Sequence, residues 1–184
     1  MMPETAKKQT KKSKTKKQVD PVATEVITTH VNADFDALAS MIAASKLYPG
    51  ASLVFPGSQE KNLRNFFLHS TSYLFNFAKI KQIKLDQVKR LILVDTRQKS
   101  RIGRFAELVG RGDVEIHIYD HHPDSEDDVT GDMEVIRKTG SNTALLTRLI
   151  REKNLPITSD EATIMCLGIH EDTGSFTFSS TTAE

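Results

Sequence analysis

Acids and imidazoles recur in this sequence where apolar runs give way to turns. The first set is His30, Asp34 and Asp36, in His30-Val31-Asn32-Ala33-Asp34-Phe35-Asp36-Ala37. The second is Asp95, closing the run Arg90-Leu91-Ile92-Leu93-Val94. The third is Asp120-His121-His122, directly after Val114-Glu115-Ile116-His117-Ile118-Tyr119. The fourth lies in Gly168-Ile169-His170-Glu171-Asp172-Thr173-Gly174-Ser175-Phe176, where Asp172, Glu171 and His170 are rival candidates for one role. Carboxylates and imidazoles together are donors for a divalent cation. Cys166 is the single cysteine, so thiolate metal sites and intramolecular disulfides are both excluded.

Each set also has a plainer explanation. Asp34 suits a helix N-cap, and Asp36 suits a first-turn acid favoured by the helix dipole. That reading outranks metal binding until His30, just upstream, is counted. Asp95 can cap the turn after its strand or point into a crevice as a ligand. Asp120-His121-His122 is harder to explain structurally. An acid before two histidines suits one metal-bound imidazole, a carboxylate that orients it and one free imidazole. Asp124, Glu126, Asp127 and Asp128 read as a solvated acidic loop and not as a site. If Asp34, Asp36, Asp95, Asp172, His30 and His121 converge, they offer more anionic donors than one ion needs. Two ions roughly 3.5–4 Å apart, sharing a carboxylate, would use them. The mixed oxygen and nitrogen donors favour manganese over magnesium, with cobalt and zinc as alternatives.

The elements that must bring these residues together follow from patterning. Residues 23–29 are β-branched and strand-like. Residues 34–48 carry apolar positions at helical spacing and end at Pro49-Gly50. Residues 52–55 read as a short strand stopped by Pro56-Gly57, and 59–70 as a helix. Residues 79–83 fit either a strand or a loop. The run 90–95 has the continuous apolarity of a strand buried on both faces. Residues 101–110 read as a helix closed by Gly110, residues 114–119 and 133–136 as strands, and 141–154 and 159–171 as helices. Alternating strands and helices predict an α/β domain on a parallel sheet. In such sheets ligands gather beyond the carboxyl ends of the strands, where the acids and histidines fall.

The 184 residues, 38% hydrophobic and 27% charged, suit one domain with a substantial core. No apolar stretch is long enough to span a bilayer and no signal peptide is evident, so a cytoplasmic protein without a membrane partner is expected. The net charge of +1 hides an asymmetry. Residues 1–20 hold seven lysines and two acids, and the remainder is about four charges negative. Residues 1–21 read as a disordered basic tail with nothing to bury. It is taken as a solubilising extension, with an RNA-binding arm as the alternative.

The four sets, in this order, resemble the motifs of the DHH phosphoesterases, whose signature is the triplet Asp120-His121-His122. The resemblance covers about residues 22–184. It implies the parallel-sheet αβα sandwich of that family's N-terminal domain. It implies that His30, Asp34 and Asp95 hold one metal ion, and that Asp36, Asp95, His121 and Asp172 hold the other, with Asp95 shared. This favours Asp172 over His170 and Glu171. It implies that His122 contacts the substrate phosphate, that Asp120 supports a histidine, and that the ions generate a hydroxide nucleophile. The segment Gly140-Ser141-Asn142-Thr143 is implied to bind phosphate at a helix N-terminus, against the equal alternative that Ser141 only caps that helix. Where many relatives carry a proline, Ala33 stands here. Members pair this domain with a smaller C-terminal substrate domain, so the sequence is expected to be part of a longer protein. Residues 173–182 are similar to a branch that also carries CBS and tRNA nucleotidyltransferase or poly(A) polymerase modules.

The expected function is manganese-dependent hydrolysis of phosphodiester or phosphoanhydride bonds in oligonucleotides or small nucleotides. Pyrophosphate or polyphosphate hydrolysis is the enzymatic alternative. A non-catalytic RNA- or nucleotide-binding module is the alternative of another class. The expected partners are a phosphate-containing small molecule or short oligonucleotide, and RNA through the tail and the parent protein. A homo-oligomer is also compatible with the sequence.

Overall fold

A computed structural model describes residues 23–69, 75 and 77–183. The basic tail read at 1–21 lies outside these, as does the last residue of the helix expected over 59–70. Among the described residues, five strands form the sheet: β1 (Glu25–Thr28), β2 (Ser52–Leu53), β3 (Arg90–Val94), β4 (Glu115–Asp120) and β5 (Met133–Ile136). The α-helices described with them are α1 (Phe35–Leu47), α2 (Lys61–His69), α3 (Asn142–Glu152) and α4 (Ser159–Asp172). The strand order is β2-β1-β3-β4-β5, with every pairing parallel. The order reverses between β1 and β3, which leaves a crevice beyond their carboxyl ends.

The side chains explain why the strands show little polar alternation. Ile27, Ile92, Val94 and Tyr119 join the core beneath α1, α3 and α4. Their neighbours Val26, Leu91, Leu93, Ile116 and Ile118 join a second core on the opposite face. A strand covered on both faces is apolar at successive positions. The second face is closed differently from the helical reading of 101–110. That segment forms 3-10 turns, Lys99–Arg101 and Gly103–Leu108, which place Ile102, Phe105 and Leu108 against the sheet. Gly103 breaks the α-helix, since its φ is +55° and a Cβ there would meet the Pro56 carbonyl at 2.8 Å. The ambiguous stretch 79–83 also contains a 3-10 turn, Ile80–Gln82.

Helix α1 is buried nearly all round, from Ala37 to Ala44, because sheet and helices enclose it. Gly168 lets α4 approach it closely. A Cβ at Gly168 would stand 2.7 Å from Ala39 Cβ and 3.1 Å from Asp36 Cα. This packing carries the last residue of α4, Asp172, to the first turn of α1.

Candidate metal centre

Three strand ends and two helix ends meet in the crevice. His30 follows β1, Asp95 follows β3, and His121 and His122 follow β4. Asp34 and Asp36 stand at the start of α1, and Asp172 at the end of α4. Asp95 sits at φ +59°, a left-handed conformation that aspartate tolerates better than most residues. His30 Nε2 lies 3.4 Å from Asp95 Oδ2 and 3.8 Å from Asp34 Oδ2. His121 Nε2 lies 3.4 Å from Asp95 Oδ1, 3.3 Å from Asp172 Oδ2 and 4.0 Å from Asp36 Oδ2. The two oxygens of Asp95 thus face two separate groups. Within each of the groups His30–Asp34–Asp95, Asp36–His121–Asp172 and Asp95–His121–His122, one donor atom per residue lies within 4.8 Å of the others.

The donor set fits divalent cations on two observations. Asp95 Oδ1 and His121 Nε2 are buried and make no hydrogen bond. Buried polar atoms without partners are costly, and a cation between them would satisfy both. The other ring nitrogens are anchored: His30 Nδ1 is 3.0 Å from the Val31 carbonyl, and His121 Nδ1 is 3.0 Å from the Thr139 carbonyl. A carbonyl only accepts, so each neutral ring keeps its proton on Nδ1 and turns the Nε2 lone pair inward.

The electrostatics agree. Burial would lower the His121 imidazolium, yet the adjacent Asp95 carboxylate and the Thr139 carbonyl hold its pKa up to about 10. His30 is also raised, because Asp95 outweighs burial there. Burial alone would raise Asp95, but His121 and His30 outweigh it and hold the carboxyl well below the usual carboxylate range. Burial, with Asp95 and Asp172 nearby, pushes Asp36 well above its ordinary value. Proton and divalent ion compete for the same lone pairs.

Several donors do structural work at the same time. Asp34 caps α1, its Oδ1 accepting from Ala37 N at 2.9 Å, while Oδ2 faces His30. The two readings of Asp34 therefore coexist on different oxygens. Asp36 reaches another helix: its oxygens accept from Asn142 N at 2.8 Å and Thr143 N at 3.0 Å, in the first turn of α3. Ser141 caps Ala144 N at 3.1 Å. The expectation that Ser141 and Asn142 bind substrate phosphate is corrected on this point. Both are fully buried, and the N–H groups of the first turn are already taken by Asp36 and Ser141. Asn142 instead supports the centre from below. Its side-chain amide reaches the Tyr119 carbonyl at 3.2 Å, Ser40 Oγ at 2.9 Å and Asp95 N at 3.0 Å, with the nitrogen toward Tyr119.

Of the rivals in the fourth set, Glu171 accepts from Phe35 N at 2.6 Å and caps α1, while His170 packs against Phe176. Only Asp172 faces His121. His122 is bound through Nδ1 to Asp120 Oδ1 at 2.7 Å. Arg97 was missed at the level of sequence. It is 3% exposed and donates to Asp120 Oδ2 at 2.6 Å, the His122 carbonyl at 3.0 Å, Asp124 at 2.8 Å and Asp128 at 2.7 Å. The loop read as merely solvated and acidic therefore supplies two of the carboxylates that hold this guanidinium. A lone arginine two residues past Asp95 was the available signal.

Fold and donor set together define a parallel α/β domain with a carboxylate–imidazole cluster able to hold divalent cations. Over residues 25–169 the chain matches the DHH family, N-terminal domain, and it belongs to that family. It is 54% identical over 160 residues to an A-adding tRNA nucleotidyltransferase of Geobacter sulfurreducens, covering 87% of this chain and 18% of that protein. It is 35% identical over 161 residues to an A-adding tRNA nucleotidyltransferase of Aquifex aeolicus, covering 88% and 18%. The chain thus spans less than a fifth of the length of these relatives. Among solved structures it is similar to an exopolyphosphatase-related protein from Bacteroides fragilis, with TM-score 0.68 and 18% identity over 89% of this chain and 50% of that one. It is also similar to a Methanococcus jannaschii protein described as a candidate family II inorganic pyrophosphatase, with TM-score 0.66 and 22% identity over 85% and 50%. At these identities the likeness establishes the fold. Among the described residues, no helix is long and apolar enough to cross a membrane.

Proposed function

We propose that this domain is a manganese-dependent phosphohydrolase acting on phosphodiester or phosphoanhydride bonds of short RNA or small nucleotides, within a longer protein of the tRNA nucleotidyltransferase type. The observation that carries the reading is Asp95, which turns one oxygen to each of two donor groups. A carboxylate in that position suits two ions close together. His30, Asp34 and Asp95 would hold one, and Asp36, Asp95, His121 and Asp172 the other. The mixed oxygen and imidazole donors suit manganese, with magnesium, cobalt or zinc as competitors.

Divalent ions held there would supply acidity to an attacking water and positive charge opposite the phosphoryl oxygens. The chain's own residues do the rest. The Val31 and Thr139 carbonyls fix the tautomers of His30 and His121. Asp120 holds His122 through Nδ1 and leaves Nε2 for the substrate phosphate. Arg97 holds Asp120 in turn and keeps its second oxygen from competing for the ring. The RNA or nucleotide substrate class rests on the A-adding tRNA nucleotidyltransferases that the chain matches along most of its length. Pyrophosphate is the second reading, favoured by the likeness of the fold to the candidate pyrophosphatase.

Dialysis against manganese followed by elemental analysis tests the centre, and parallel assays on a ribodinucleotide and on pyrophosphate test the substrate. Two ions per chain and faster turnover of the dinucleotide are expected. Faster turnover of pyrophosphate would move the assignment to the second reading. Binding of tRNA with no ion retained and no turnover of either would replace it with a binding module.

A further inference from the structure

The crevice does not end at the metal centre. His121, His122 and Asp172 form one side of an open cavity of about 400 Å³. Lys138, Ser180 and Thr182 form the far side. We propose that this cavity is a substrate subsite for a ribose phosphate, the portion of the substrate next to the phosphate at the metal centre. The inference rests on the hydrolase reading for the orientation of the substrate, and on the cavity itself for the class of ligand.

Size is the first ground. Ligand pockets run from roughly 300 to 1,000 Å³. This one is far larger than an orthophosphate needs and suits a sugar phosphate.

Chemistry is the second ground. Lys138 is exposed in the cavity and pairs with no carboxylate among the described residues, so its charge is available for an anion. Thr182 Oγ1 accepts from Gly140 N at 3.2 Å, so its own O–H is left to donate. Among the described residues of the lining, Pro123 supplies the one apolar side chain, and apart from the His121 and His122 imidazoles on the metal-centre side no aromatic ring offers a platform for a stacked base. On the wall away from the metal centre, one lysine beside the Ser180 and Thr182 hydroxyls matches a singly phosphorylated, hydroxyl-rich group. A polyphosphate chain would bring several charges to a single lysine.

The far wall is also fixed in place. Residues 180–182 lie directly on Gly140, where a Cβ would stand 3.3 Å from both Thr181 Cα and Thr182 N. Thr181 N donates to the Phe178 carbonyl at 3.0 Å, which ties the wall to the turn after α4. Glycine at 140 thus shapes the cavity by letting a second segment close it. The neighbouring Thr139 supplies the carbonyl that orients His121, so Lys138 is held in register with the metal centre.

The test is titration calorimetry of this chain with ribose 5-phosphate and with orthophosphate, on the parent and on Lys138→Ala and Lys138→Glu, each with and without manganese. Ribose 5-phosphate is expected to bind roughly tenfold tighter than orthophosphate, and Lys138→Glu to weaken it by roughly tenfold or more, with a smaller loss for Lys138→Ala. Circular dichroism spectra matching the parent would show that the variants are folded, as expected for an exposed lysine. Equal affinity for the two probes, or unchanged ribose 5-phosphate binding in the folded Lys138→Glu variant, would overturn the subsite. Manganese stoichiometry on the same samples reads the hydrolase proposal separately. Absent ions with Lys138-dependent sugar-phosphate binding would sink the hydrolase and keep the subsite. Two ions with Lys138-independent binding would do the reverse.

Discussion

The two ends of the sheet each carry a cluster of acids and bases, and the clusters are built to different rules. At the amino ends, Arg90 bonds Glu25 and also Glu115 at 2.8 Å, and Glu115 bonds His117 Nε2 at 2.7 Å. His117 Nδ1 then meets Tyr48 Oη at 2.6 Å, and Tyr48 meets Tyr119 Oη at 2.9 Å. Every link joins a donor to an acceptor from Glu25 through to Tyr119, so the network is closed in the sense that each link is satisfied. At the carboxyl ends, His121 Nε2 faces three carboxylate oxygens at 3.3 to 4.0 Å and bonds none of them. A closed network adds stability and offers a ligand nothing. An open one raises the energy of the protein alone and lowers it when a cation enters. Both clusters contain carboxylates and imidazole, and the difference that matters to a ligand lies in which lone pairs are left over.

Breaking the open cluster should give the largest effect. Asp95→Asn keeps the size of the side chain and removes the shared charge. Manganese stoichiometry should fall from two ions to one or none, and turnover by about a hundred- to a thousandfold. Two ions retained by elemental analysis would remove Asp95 from the centre. Asp36→Ala and His121→Ala should each lose one ion, and they separate the two roles of Asp36. Asp36→Ala should also cost about 1–2 kcal/mol in denaturant unfolding, because it takes the acceptor from the Asn142 and Thr143 N–H groups of α3, whereas the cost of His121→Ala should shrink as pH rises toward about 10. An Asp36→Ala variant as stable as the parent would contradict the first pairing.

Arg97→Met should leave Asp120 buried without its cation and cost about 3 kcal/mol, read as a shift in the denaturant midpoint. A stability within about 0.5 kcal/mol of the parent would show that the guanidinium contributes no more than an ordinary surface residue.

A pH series sharpens the contrast further. The folded value of His121 is about 10, against 6.5 as its ordinary value. Its contribution to stability is therefore complete below pH 6.5 and is lost as pH rises through about 10. Melting temperatures in a chelator should decline across that window, and added manganese should flatten the decline by replacing the proton. A flat profile in chelator would count against the Asp95–His121 pairing. The smallest effect is expected at the other end of the sheet. Tyr48→Phe removes two contacts from the closed network and should cost about 1–2 kcal/mol by denaturant unfolding, with manganese binding unchanged. Loss of an ion there would mean that the two clusters are coupled.

Much of the fold was legible because its signals are local. The β-branched run at β1 and the apolar runs at β3 and β4 mark strands whatever lies around them. The periodicity of α1, α3 and α4 marked helices, and their observed ends fall within two residues of the expected ones. The helix expected at 101–110 failed for a reason that is not local. Gly103 takes a positive φ because the chain there runs against the Pro56 carbonyl, 47 positions earlier in sequence. The candidate site was legible in residue type, and its motifs resembled those of a known family. Its supporting shell was not. Arg97, Asp124 and Asp128 carry no pattern that separates a buried arginine held by carboxylates from a solvated acidic loop. Ser141 and Asn142 sit at a helix start that looks free to bind phosphate until Asp36 is placed beneath it.

By itself the sequence determined most of the elements, the strand-end position of the acids and histidines, and the exclusion of thiolate metal sites. These depend on residue type and short spacing, which backbone sterics and apolar burial convert directly into strands and helix starts. Only the tertiary structure decided which lone pairs are spent and which are left. Asp36 gives its oxygens to N–H groups 106 and 107 positions away, Glu171 gives one to α1, and Asp95 has an oxygen that nothing among the described residues satisfies. A carboxylate has two oxygens and accepts from whatever donor packing brings within about 3 Å. Its role is therefore set by distances between segments remote in sequence.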